Sequence, residues 1–146
     1  MSKAEGAQTY DLMIIGGGPA GMTALVWAAQ LGLKSVLVEG TDRLGGQLHS
    51  IYNPISNYPG RETKNGKEMS KYFLRSLEGF EGACRLSTRV VRFDPGTITA
   101  ATDDGRKIAA RSAIIATGVR RRRLGIPGET EFIGKGILES GAKEKH

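Results

Sequence analysis

The chain has 146 residues, of which 39% are hydrophobic and 25% charged, with a formal charge of +6. That length and composition suit one folded domain and argue against a disordered chain. The single cysteine, Cys84, excludes an internal disulfide, a C-x-x-C centre and a cysteine zinc site.

Tyr10 to Ile15 is a short apolar run that predicts a buried parallel strand. Pro19 to Leu31 predicts a helix, with Ala20, Ala24, Ala28 and Leu31 on one face and Gly32 at its C-terminal cap. Ser35 to Glu39 predicts a second parallel strand, which completes a βαβ unit. Thr41 to Arg61 reads as a long loop, a length that marks function or loose order. Lys67 to Phe80 predicts a second amphipathic helix, with Met69, Phe73, Leu77 and Phe80 on one stripe.

Cys84 to Phe93 predicts one strand, and Asp94-Pro95-Gly96 a turn. Two short strands follow, near Thr97 to Thr102 and Lys107 to Ala110, joined at the hairpin signal Asp103-Asp104-Gly105. Ser112 to Thr117 predicts a separate buried strand that ends at Gly118. From Arg120 onward the chain reads as loop, and its last residues as a linker or frayed tail.

Gly16, Gly18 and Gly21 fit G-x-G-x-x-G. The spacing alone is common, but here a strand precedes it, a helix follows it, and Glu39 closes the next strand. Gly16 permits the tight turn, Gly18 lets a pyrophosphate approach the backbone, and Gly21 lets helix and strand pack closely. The helix N-terminus offers amide N–H groups and a positive dipole end to phosphates. An acid at Glu39 suits ribose hydroxyls and disfavours a 2′-phosphate, so FAD or NAD fits better than NADP.

Further segments occur in a fixed order: GGGPAG (Gly16 to Gly21), GGQL (Gly45 to Leu48), NYPG (Asn57 to Gly60), IIATG (Ile114 to Gly118) and LGIPGE (Leu124 to Glu129). The series resembles the N-terminal FAD-binding region of the low-molecular-weight thioredoxin reductases and related pyridine nucleotide-disulfide oxidoreductases. The resemblance implies an α/β, Rossmann-like FAD-binding domain over residues 10–136, between a flexible stretch at 1–9 and a tail at 137–146. It implies a parallel sheet with helices on one face and a small antiparallel β-meander on the other, incomplete relative to the family.

By the same resemblance, Gly16, Gly18, Pro19 and Ala20 would cradle the FAD pyrophosphate, and Glu39 would hold the adenosine ribose. Gly46, Gln47 and Leu48 would run beside the ribityl chain and flavin, with Asn57 bonding near the ring system. Val90 or Val91 would meet adenine through the backbone, and Ala116, Thr117 and Gly118 would pass close to the cofactor. The family's redox C-x-x-C aligns with Ser140 and Lys143, so thiol–disulfide exchange through that pair is not expected. The second glycine fingerprint and the C-terminal return segment are expected outside these residues. NADPH would then act only through those segments or a partner chain, and the family implies a homodimer.

No catalytic residue and no metal site is assigned. His49, directly after GGQL, reads as a surface loop histidine, and Trp27 as a packing residue of its helix. Tyr52 and Tyr58 could stack on a cofactor or lie free in the loop.

Arg120 to Arg123 is a dense basic cluster without interleaved aromatics, so no nucleic-acid partner is expected. The polar first eleven residues lack a signal-peptide core, and no apolar run is long enough to span a bilayer. With one cysteine, this points to a cytoplasmic chain away from membranes. Two readings stay open: an FAD-dependent oxidoreductase domain of thioredoxin-reductase type, or a stand-alone flavin-binding electron-transfer or interaction module that needs a partner for NADPH.

Overall fold

The computed structural model describes residues 9–120, 122–133, 135 and 137. The flexible stretch expected at 1–9 and the tail expected at 137–146 lie almost wholly outside them, as do Ser140 and Lys143. Six strands form one sheet in the order β3-β2-β1-β6-β5-β4. Strand β1 (Thr9–Ile15) sits at its centre, parallel to β2 (Ser35–Val38) on one side and to β6 (Lys107–Ile115) on the other.

Side-chain alternation along β1 separates two cores. Leu12 and Ile14, with Leu37 of β2, face Met22, Leu25 and Ala28 of α1 (Pro19–Gln30) and Leu77 beyond α2 (Gly66–Arg75). Met13 and Ile15, with Val36 and Val38, face Ala100 and Ala110, flanked by Phe93 and Ile98. The helices therefore cover one face of the sheet, and residues of the antiparallel β4 and β5, which continue the same sheet beyond β6, pack on the other, as the resemblance implies.

Helix α1 begins with Pro19 at its first turn and ends at Leu31, after which Gly32 takes φ +70°. The Leu33 N–H bonds back to the Ala28 carbonyl, the closing pattern expected of a C-terminal glycine. The buried stripe of α1 is Gly21, Met22, Leu25 and Ala28. The stripe read from the sequence is rotated from this one: Ala20 and Leu31 face outward, and Trp27 is 60% exposed rather than packed. Both faces of this helix are apolar, so periodicity alone could not orient it.

Four further boundaries differ from the sequence reading. Helix α2 stops at Arg75, and Leu77 reaches the core from the turn that follows. The strand predicted over Cys84 to Phe93 is two: β3 (Cys84–Arg85) pairs in parallel with β2, and β4 (Val90–Asp94) pairs antiparallel with β5 (Thr99–Thr102). Between them Ser87 takes φ +48°, which turns the chain from one partner to the other. The strands predicted at Lys107 and Ser112 are one, β6, whose first half pairs with β5. After Arg120, a short helix α3 (Glu129–Phe132) forms where only loop was expected. Among the described residues, no helix is long and apolar enough to cross a membrane.

Candidate functional site

The glycines of the first turn have separate steric reasons. Gly16 takes φ +110°, and a Cβ there would lie 2.3 Å from the Ala116 carbonyl oxygen. A Cβ at Gly17 would lie 2.5 Å from Leu44 Cδ2, and one at Gly21 would lie 1.9 Å from the Gly16 carbonyl oxygen. Gly18 is different, because a Cβ built there meets nothing within 4 Å. Gly16 and Gly21 are thus required by contacts with backbone, whereas at Gly17 the near neighbour is the movable tip of Leu44. The fourth faces open space at the N-terminus of α1.

That helix end has no side-chain cap and no acidic residue in its first turn. Pro19 lacks an N–H, but the next first-turn amides carry the positive end of the helix dipole toward the open side of Gly18. Facing it is the segment at Gly46, where a Cβ would come 3.0 Å from Gly18 Cα. Backbone of the two segments thus approaches closely here, and the open side of Gly18 leaves the first-turn amides accessible to an anion.

Of the predicted site residues, Gly16, Glu39, Val90, Thr117 and Gly118 line one cavity and Pro19, Leu48 and Asn57 a second, while Gly18, Ala20, Gly46, Gln47 and Ala116 line neither. One cleft, of about 340 Å³, is lined by Gly16, Glu39, Val90, Thr117, Gly118 and residues between them, including Thr88, Arg89 and Arg120. Val90 faces it, while Val91 is 61% exposed, so Val90 is the inward member of the pair. A second cavity of about 340 Å³ is mostly apolar and lined by Pro19, Leu48, Ile51, Asn57, Tyr58 and Phe73. Tyr58 stands edge-on to Phe73 at 5.9 Å between centroids, which fixes one wall. The Ala116 carbonyl lies against Gly16, where it leaves no room for a Cβ, and Ala20 lies exposed in the first turn of α1. A further cavity of about 370 Å³, near Tyr10, Lys34 and Phe80, lies at the opposite end of the strands and holds none of the predicted residues.

Glu39 does more than the sequence indicated. Its carboxylate accepts the Gly17 N–H at 2.7 Å, the Thr41 N–H at 2.8 Å and the Thr41 hydroxyl at 2.9 Å. The acid at the end of β2 thereby ties the glycine turn to the next loop, and two oxygens with about four acceptor directions retain room for one more donor.

The long loop also differs from expectation. Residues Gly46–Ser50 form a 3-10 helix, which no periodic signal announced. It is tied at three points: Gly45 N–H to the Gly17 carbonyl at 2.8 Å, Gln47 Nε2–H to the Val119 carbonyl, and His49 Nε2 to the Leu44 carbonyl at 2.8 Å. A carbonyl only accepts, so Nε2 of His49 carries the proton. His49 is half-buried and bonded here, not a free surface histidine.

Near the end of the described chain, Glu129 is buried and accepts the N–H groups of Leu124 at 2.9 Å and Gly125 at 2.7 Å. These two donors hold its carboxyl below the usual carboxylate range, and they account for the Leu-Gly-…-Glu spacing of that segment.

A mixed sheet with a parallel β2-β1-β6 centre, a glycine turn at the C-terminal end of its first strand, an open helix end and an acid on the second strand defines a Rossmann-like dinucleotide-binding domain. The chain belongs to the family "Pyridine nucleotide-disulphide oxidoreductase", whose model matches residues 10–145. It is 37% identical over 131 residues to a thioredoxin reductase of Peptoclostridium acidaminophilum, across 88% of this chain and 40% of that one. Its fold resembles the crystal structure of Lactococcus lactis thioredoxin reductase with a TM-score of 0.73 and 39% identity, across 85% of this chain and 40% of that one. It resembles that of the thioredoxin reductase of Streptococcus pyogenes with a TM-score of 0.69 and 36% identity, again across 85% of this chain and 40% of that one. The chain therefore spans less than half the length of each of these relatives.

Proposed function

We propose that this chain binds FAD and is the FAD-binding part of a thioredoxin-reductase-like oxidoreductase. The observation that carries the reading is the open side of Gly18 at an uncapped helix end, next to glycines that are all otherwise packed. Backbone amides of the Gly18–Ala20 turn would hold the diphosphate. The Glu39 cleft would take the adenosine half, with Val90, Thr117 and Gly118 as its walls. The apolar cavity of Pro19, Leu48 and Asn57 would take part of the flavin ring, with Gly46 and Gln47 beside the ribityl chain. When bound, flavin supplies hydride and electron transfer. This chain's residues bind it, orient it and shield it. The one cysteine suits a reducing compartment such as the cytoplasm.

Titrating the purified chain with FAD tests this directly. Quenched flavin fluorescence and a retained yellow colour after desalting are expected. A chain that stays colourless and leaves FAD fluorescence unchanged would overturn the reading.

A further inference from the structure

The cavity of about 370 Å³ near Tyr10 and Lys34 opens where the edge of the sheet is incomplete. Strand β3 pairs only with Leu37 and Val38, so Ser35 and Val36 of β2 have no strand beside them on that side. The segment leading into β3 borders the gap as a 3-10 turn, Glu81–Ala83, in which the Ala83 N–H donates to the Phe80 carbonyl at 3.1 Å. The lining is apolar at its buried end: Leu25 and Val36 are each 1% exposed, with Leu33 and Phe80 nearer the surface.

Gly82, in that turn, shares the steric feature of Gly18. It has no positive φ, and a Cβ built on it meets nothing within 4 Å. Neither backbone conformation nor packing requires a glycine there, and any other residue would add a side chain at the cavity wall.

The charge around the cavity is one-sided. Lys34 and Arg85 line it, and no acid does. The Lys34 ammonium lies 5.7 Å from the Tyr10 ring centroid. The neighbouring Asp11 carboxylate is already engaged: it accepts the Lys34 backbone N–H at 3.0 Å and pairs with Arg111 at 3.6 Å. Arg85 makes no salt bridge among the described residues. It also lines a smaller cavity of about 180 Å³, where Lys107 and Arg106 add two cations, the second of them paired with Asp104.

Unpaired cations beside an apolar wall suit an anion carried on a flat apolar body. A guanidinium fork matches the oxygens of a phosphate in a two-point contact. The volume is that of a small-molecule site and exceeds what a lone ion fills. We propose that this cavity binds a nucleoside monophosphate, with its base against Leu25, Leu33 and Phe80 and its phosphate on Arg85 and Lys34. None of Lys34, Gly82 and Arg85 lines the two cavities assigned above to FAD, so binding here does not require FAD.

Titrating AMP into the isotope-labelled 146-residue chain, followed by amide NMR, tests the site. Saturable shifts at Lys34, Gly82 and Arg85, with a dissociation constant below about 1 mM, are expected. Adenosine and inorganic phosphate each lack half of the ligand and should bind at least about 10-fold more weakly. Arg85→Ala and Gly82→Leu should each weaken AMP by at least about 10-fold, the scale of a lost charge-assisted bond. Arg61→Ala, which removes a cation stacked on Tyr72, should leave the affinity unchanged. Shifts confined to Gly17, Glu39 and Thr41 would put AMP in the other cleft and overturn the proposal. The absence of saturable shifts overturns it too, as does phosphate binding as tightly as AMP or an unchanged affinity in Arg85→Ala. Should Gly82→Leu fail to fold, Arg85→Ala decides, because only backbone atoms of Arg85 pair with β2 and these are kept.

Discussion

The Glu39 carboxylate and the Gly17 backbone N–H are joined by a 2.7 Å hydrogen bond, so the acid on β2 and the glycine turn after β1 form one unit. An acid at the end of the second strand thus has a role inside the protein before any ligand arrives. Replacing Glu39 with alanine removes three accepted bonds at once. We expect FAD affinity to fall by about 1.5–3 kcal/mol, the scale of a lost hydrogen bond to a charged group. Thr41→Val, which removes one of the three, should cost less. Fluorescence titration of both variants beside thermal melts separates a binding loss from a folding loss. Equal affinity in Glu39→Ala and the unaltered chain would refute a ligand contact by this carboxylate.

Gly18 and Gly21 make a contrasting pair. Gly18→Val adds a side chain into open space at an ordinary φ of −74°, so the fold should persist while FAD binding is lost. Gly21→Ala places a Cβ 1.9 Å from a backbone carbonyl that cannot yield cheaply, so the fold itself should fail. Circular dichroism and FAD titration of the two proteins check this. If Gly18→Val binds FAD normally, the diphosphate does not lie against Gly18.

Glu129 sets a pH dependence. Its folded carboxyl lies below the ordinary value of 4.5 because it accepts the Leu124 and Gly125 N–H groups. A lowered folded value means that the ionised form supports the fold. The contribution is complete above about pH 4.5 and is lost as pH falls through the folded value. Melting curves of the unaltered chain and Glu129→Gln should differ at neutral pH and converge in acid. A difference that persists unchanged at the acid end would show that the carboxylate's charge is not what matters.

Leu25 is 1% exposed in the core between α1 and β1, and Leu25→Ala should cost about 2–5 kcal/mol by leaving a cavity. Urea unfolding monitored by far-ultraviolet circular dichroism measures it. A loss below about 1 kcal/mol would mean that α1 is not anchored on this side.

The sequence by itself determined the local pattern: strand, glycine turn, helix, strand and acid, together with the order of the later motifs. These are written in short-range terms, because turn geometry and side-chain period depend on residues a few positions apart. The residues it singled out are also brought near one another, since Gly16, Glu39 and Val90 line one cavity, Pro19, Leu48 and Asn57 a second, and Gly18 lies in the turn between Gly16 and Pro19. What the tertiary structure alone decided involves distant partners. Which side of α1 is buried depends on the sheet it meets, because Ala20–Leu31 is apolar all round. The division of residues 84–93 depends on β3 and β4 having different neighbours, and β6 is continuous because β1 and β5 both pair along it. The Glu39 bond to Gly17 spans 22 positions, and the Gln47 bond to Val119 spans 72. Such contacts are made by the fold that brings their partners together, and nothing in the local spacing of either residue specifies the other.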